Sequence, residues 1–372
     1  MRRRLTNSSE KLTSSPEICV QRLSNQHLIK QTLKKASELV RLFGAVQAQD
    51  YWGAKWALGQ RTRGASEADV EAEISRGSIL RTHVLRPTWH FVAPEDIRWM
   101  LALSAPRIKA VLAHYDRDLG LDAAVHRRAR TVLTKALRNG KELTRAELSQ
   151  ALTKAGVRAD GTERLARLMM HAELDAVICN GARRGKRFTY SLLDERAPTG
   201  KTLERDAALR ELALRYFPTR GPATAADFAW WSGLTQGDAL RAVESVGKSL
   251  DSILIGGRKY WLGPATSAKL KSPMVRLLPS YDEYFIGFRD RSAIQARFAA
   301  AGIDHTVSGL SSNLVTIDGQ AVGTWERGFK PDSVSVNVRP ATNLTGAEKR
   351  AIAQEVERLA SFLGVRAHLA QL

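Results

Sequence analysis

Gln47 and Gln49 stand one residue apart in Phe43-Gly44-Ala45-Val46-Gln47-Ala48-Gln49-Asp50, an otherwise apolar segment with aromatic neighbours. A core has little use for two uncharged amides at alternate positions, whereas a site can use both. Each amide offers an acceptor oxygen and two N–H donors, enough to hold a water in line and to steady a backbone group. Hydrolysis by paired carboxylates is not what this spacing offers, because no second acid accompanies Asp50 beside the motif. Asp50 itself has two readings, as the residue that starts a helix near Gly53 or as a base. His90, on a strand in Thr88-Trp89-His90, is either a hydrogen-bonded structural histidine or part of the site. Lys55 lies close enough to be considered as an amine nucleophile, but nothing beside it marks it as activated. Asp282-Glu283 reads either as a distant catalytic pair or as a fold-forming one, and Trp52, Trp56 and Trp89 read as packing residues.

The elements that must position these residues follow a repeated grammar of three helices and a hairpin. It is clearest in the middle of the chain. Apolar spacing predicts a helix over Val125–Arg138, Thr144 and Glu147 form a capping box for a second, and a third runs over Thr162–Leu174. Strands then flank the turn Gly181-Ala182-Arg183-Arg184-Gly185-Lys186-Arg187. The pattern recurs with helices over Leu203–Tyr216, from Pro222 to Trp231 and after Thr235, and a hairpin across Gly256-Gly257. A looser copy precedes both, with helices near Ser37–Val46, Gly53–Gln60 and Ser66–Ser75 and strands near Ile79–His83 and Thr88–Val92. Residues after about 271 switch to strands, including a hairpin across Asp318-Gly319, closed by a helix over Thr345–Leu363. The fold class is therefore α+β. Three tandem winged-helix units are expected at 19–118, 119–197 and 198–270, and a small β-rich domain, barrel-like or half-open, at 271–372.

Lys and Arg number 57 against 38 Asp and Glu, a net charge of +19 across 372 residues. Such a field attracts polyanions, and nucleic acid is the commonest of them. The chain has no long apolar run for a membrane, and no aromatic or Gly-x-x-Gly signature for RNA. Cys19 and Cys179 are far apart and lack partners at metal-ligand spacing, so neither a disulfide framework, a zinc site nor another cofactor is expected. A reducing cytoplasm fits that usage. Residues 1–18, basic and Ser-rich without a hydrophobic core, are expected to form a mobile tail. Arg86 and the hairpin cations Arg183, Arg184, Lys186 and Arg187 are the candidate DNA contacts, with Asp50 and His90 candidates for catalysis or contact.

Val46-Gln47-Ala48-Gln49, Arg61, Arg86-Pro87-Thr88-Trp89-His90-Phe91-Val92, Asp96 and Trp99 together resemble the first-domain signature of the AlkZ-like winged-helix DNA glycosylases, the azinomycin-resistance family. Leu277-Leu278-Pro279-Ser280-Tyr281-Asp282-Glu283-Tyr284 with Arg289-Asp290-Arg291 is similar to that family's C-terminal signature. The resemblance implies three winged helices and a C-terminal β-barrel gripping duplex DNA as a monomer. It further implies hydrolysis of the N-glycosidic bond of N7- or N3-alkylated purines, in some members including interstrand crosslinks, with Gln47 and Gln49 as the catalytic pair. Related subgroups carry Gln-x-Asp, so this chain sides with the Gln-x-Gln branch. A non-enzymatic winged-helix regulator is the competing reading, since fold alone does not establish function.

Overall fold

The computed structural model describes residues 14–264, 269–303, 309, 311–330 and 332–372. Most of the expected tail falls on residues 1–13, outside the described residues. Its last part is not tail: Ser14 and Glu17 form a capping box that opens a helix over Ser15–Asn25. That helix buries Ile18, Cys19 and Leu23, which is the physical reason the chain orders there.

The first repeat begins with the helix Ala36–Phe43, shorter than the sequence suggested. Gly44 takes a left-handed φ of 77°, which ends the helix, and the chain continues as β1 (Ala45–Gln47). Helices Tyr51–Arg61 and Glu67–Ser75 follow, then β2 (Leu80–His83) and β3 (Trp89–Val92). The second repeat comprises the helix Ala123–Leu137, β4 (Leu143–Thr144), helices Arg145–Lys154 and Thr162–Leu174, β5 (Ile178–Asn180) and β6 (Thr189–Leu192). In the third, helices Arg205–Arg220, Ala225–Ser232 and Gln236–Val246 precede β7 (Asp251–Ile255) and β8 (Arg258–Leu262).

A topological detail unites the three copies. In the first two, a short strand before the second helix pairs with the second hairpin strand, giving the orders β1-β3-β2 and β4-β6-β5. The third reduces that strand to one residue, Ala223, bridged to Trp261 on β8. Thr144, Thr224 and Thr235 each accept from a backbone N–H three residues on, so the caps fall where hydroxyl spacing put them.

A 22-residue helix, Ile97–Asp118, joins the first repeat to the second and has no counterpart in the sequence reading. Pro106 inside it masks the signal, because proline normally ends a helix.

The C-terminal segment holds β9 (Val275–Leu278), β10 (Leu314–Ile317), β11 (Gln320–Lys330), β12 (Ser333–Pro340) and β13 (Arg366–Gln371) in the order β13-β12-β11-β10-β9. β13 runs parallel to β12 and the other neighbours are antiparallel. No ladder joins β9 to β13 among the described residues, so the sheet is open rather than a closed barrel. The helix Gly346–Leu363 covers it instead, burying Ile352, Val356, Leu359 and Phe362.

The second repeat has a core of its own around Leu133, Leu148, Leu152 and Leu168. The first repeat shares cores with the third and with the C-terminal sheet. No described helix is long and apolar enough to cross a membrane.

Candidate active site

The Gln-x-Gln segment is held on every side by groups from distant parts of the chain. The ladder pairs Gln47 with His90, and the N–H of Ala48 donates to the Trp89 carbonyl at 2.8 Å. Arg81 Nε and Nη2 donate to the Ala48 carbonyl at 3.1 and 3.0 Å. From the C-terminal segment, Glu283 Oε1 accepts the Gln47 N–H at 2.8 Å. The other oxygen of Glu283 receives Arg220 Nε at 3.0 Å, Arg220 Nη2 at 2.6 Å and Trp231 Nε1 at 2.9 Å. Arg220 also donates to the carbonyls of Phe43 and Ala45. A four-cornered brace thus ties the strand carrying the motif to the third repeat and to the C-terminal segment.

The remaining signature residues do similar work. Asp282 takes a two-point bond from Arg61 at 2.9 and 2.7 Å, and Asp96 takes Arg215 Nη1 at 2.5 Å and Trp99 Nε1 at 3.0 Å. Asp282 and Glu283 are each buried against their own arginine. They are therefore fold-forming, the second of the two readings the sequence allowed.

The two glutamines are not equivalent. Gln47 is 4% exposed, and its Oε1 accepts Arg86 Nη2 at 3.2 Å. Arg86, expected on DNA, is thereby half-buried beneath the surface, and burial lowers its pKa. Gln49 is exposed, and its Oε1 accepts the Trp89 N–H at 3.3 Å. That contact fixes which end of the amide is oxygen, leaving the amide nitrogen and a second lone pair for a ligand.

Gln49 edges a groove of about 910 Å³ between the first and second repeats. Its first-repeat wall contains Asp50, Tyr51, Trp52, Arg81 and Trp89, and its second-repeat wall contains Arg145, Arg183, Lys186, Arg187 and Phe188. Cations interleave with rings: Arg81 lies 4.3 Å from the Trp89 ring centre, and Arg183 lies 5.2 and 5.4 Å from those of Tyr51 and Phe188. The structure thus gathers Arg183, Lys186 and Arg187 opposite Gln49. Arg184 instead points to Glu147 Oε1, at 2.9 Å, outside the groove lining.

Asp50 Oδ1 accepts the Gly53 N–H at 3.1 Å, the N-cap geometry, and Oδ2 meets Arg327 at 3.5 Å. Asp50→Asn is accordingly expected to keep stability, while Asp50→Ala loses about 1 kcal/mol in urea denaturation. Equal stabilities of the two variants would contradict the cap assignment.

His90 faces inward. It is 0% exposed, and its Nδ1 lies 3.0 Å from the Thr88 carbonyl, which can only accept. Burial first, then the Arg86 charge, hold the imidazole well below its ordinary pKa. It is therefore neutral at pH 7 and does not reach the groove in this arrangement. Lys55, in the groove lining, has its Nζ held by Glu67 and, at 2.7 Å, by Glu71.

Several groups here had no warning in the sequence reading. Arg327, 3.6 Å from the centre of the Trp52 ring, reaches the rim from β11, 277 residues from Asp50. Arg145 and Phe188 could have been found, because they flank the capping box and the basic turn already singled out.

The model of a family described as DNA glycosylase AlkZ-like matches residues 40–362. An interstrand DNA cross-link repair glycosylase of Streptomyces sahachiroi is 26% identical over 321 residues, 82% of this chain and 85% of the relative. The solved structure of Streptomyces sahachiroi DNA glycosylase AlkZ superposes with a TM-score of 0.77 at 23% identity, covering 97% of this chain and all of that one, and so shares the fold. With the signature residues drawn into one brace around Gln-x-Gln, the chain belongs to the AlkZ-like DNA glycosylase family.

Proposed function

We propose that this chain hydrolyses the N-glycosidic bond of N7- or N3-alkylated purines in duplex DNA, with Gln49 as the catalytic amide and Gln47 as the residue that positions it from beneath. The observation that carries this reading is the placement of Gln49 on the edge of an open groove walled by cations and aromatic rings. Alkylation makes the purine cationic, so it leaves as a neutral base without acid assistance. What remains is to place a water at C1′ and to steady the positive charge that develops on the sugar. Water adds to C1′, the C1′–N bond breaks with its electron pair going to the purine, and the water's proton passes to solvent. The free side of the Gln49 amide suits that water. Gln47 holds Arg86 and the strand beneath.

The repeated helix, short strand, two helices and hairpin supports three winged-helix units over 19–118, 119–197 and 198–270, acting on DNA as a monomer. The cations Arg183, Lys186 and Arg187 then track phosphates from the second unit, a contact expected to weaken steeply with salt. Flipped bases usually enter a snug pocket, whereas this groove is open enough for a bulky adduct. The relative's name supports extending the substrate to interstrand crosslinks. The buried ion pairs of Lys55 support a monofunctional enzyme that leaves the strand intact.

The test is a duplex carrying one N7-methylguanine. Free base and an abasic site are expected above the buffer rate, with strand breakage appearing only after alkali. No base release would favour a non-enzymatic binder, and breakage without alkali would contradict the monofunctional assignment.

A further inference from the structure

Away from the groove, three helices bring Asp116, His126 and His171 together. Asp116 lies in the last turn of Ile97–Asp118, His126 in the first turn of Ala123–Leu137 and His171 near the end of Thr162–Leu174. One donor atom from each lies within 4.8 Å of the other two. His171 Nε2 and Asp116 Oδ2 are 2.7 Å apart, and the two imidazoles stack at 3.8 Å with 26° between planes. Nothing in the sequence announces the group, since Asp116 and His171 are 55 residues apart.

The cluster has more acceptors than donors. Asp116 Oδ1 and both ring nitrogens of His126 are buried without a hydrogen-bond partner. Unsatisfied buried polar atoms are costly and call for an explanation, and an unplaced ion is one of the standard ones. The nearby cations do not supply the missing partner. Lys109 and Arg130 are both engaged by Asp175, the latter at 2.7 Å.

We propose that Asp116, His126 and His171 form a binding site for one divalent ion of the zinc class, with water completing the shell. Two imidazoles and a carboxylate suit zinc or a neighbouring transition ion, not the all-oxygen shells that magnesium and calcium prefer. Ligand atoms around a tetrahedral zinc lie roughly 3.3 Å apart, given bonds of about 2 Å. Atoms already within 4.8 Å need to move by up to about 1.5 Å, with the stacked imidazoles turning so that their lone pairs converge on the ion. If His171 ligates through Nε2, the proton that nitrogen shares with Asp116 passes to solvent or to Nδ1.

The ion would act structurally. It would pin the end of the helix leaving the first repeat to two helices of the second, one of which leads into β5 and the basic turn. The two walls of the groove would then be held at a fixed angle.

The full chain, stripped with chelator, is titrated with zinc chloride by calorimetry and with cobalt chloride by visible absorption. One equivalent is expected to bind, with cobalt d–d bands and a chelator-reversible rise in Tm. His126 is partly exposed, so His126→Ala is expected to fold, as circular dichroism will show, and to weaken zinc binding by at least about tenfold. His171→Gln provides a second, independent variant. Absence of saturable binding by the natural chain overturns the site, as does equal binding by either folded variant.

Discussion

Replacing Glu283 with alanine is expected to cost about 3–5 kcal/mol of folding stability, because it strands a buried guanidinium. Arg220 and Glu283 have side-chain exposures of 0% and 1%, and the same carboxylate also takes Trp231 Nε1 and the Gln47 N–H. Base release should fall with it, since the strand carrying the motif loses its anchor. Stability and positioning can be separated. In Glu283→Gln with Arg220→Met neither partner is left as an unpaired buried charge, so most of the lost stability should return in urea denaturation. Activity should stay low, because Arg220 no longer holds the carbonyls of Phe43 and Ala45. Full activity in that stable double variant would show that the brace does not position the glutamines.

The second large effect is a split between the two amides. Gln49→Ala is expected to slow base release by about 10²–10³-fold, the usual loss when one preorganised polar group is removed from a site. Because Gln49 is exposed, its stability should change by no more than about 0.5 kcal/mol. Gln47→Ala should slow release too, but through a different route. It deprives half-buried Arg86 of its acceptor and should cost about 1–3 kcal/mol of stability. Thermal melts beside single-turnover release for the two variants check this. Two variants equally stable and equally slow would mean that both side chains meet the substrate directly.

Much of this was legible because local chemistry announced it. Thr144 with Glu147, Thr235, and the turn at Gly256-Gly257 mark element boundaries through hydroxyl caps and glycine turns, signals that need only near neighbours. Gln-x-Gln was visible because polar residues in an apolar run are anomalous. Whatever depends on distant partners was not visible. Glu283 lies 236 residues from the N–H it accepts, and no pattern near either residue encodes that pairing. The brace also explains why the acids in the signature allowed two readings, catalytic or fold-forming: a buried carboxylate matched to an arginine and a catalytic one share residue type and apolar surroundings. Gly44 misled in a smaller way, because the apolar spacing of Ser37 to Val46 continues through it while its backbone does not. His90 had two readings on its strand, and burial decides for the structural one, because His90, Phe91 and Val92 are all covered and only Trp89 is partly open.

In the proposed reaction alkylation activates the leaving group, so the groove needs to supply only a placed water and a favourable field. The most direct test compares release of N7-methylguanine with release of O6-methylguanine from otherwise identical duplexes under single-turnover conditions. The first lesion is cationic and the second is not. Rapid release of N7-methylguanine is expected, and none of O6-methylguanine above the buffer rate. Comparable release of both would contradict the proposed reaction, because an uncharged purine needs an acid that the residues around Gln49 do not provide.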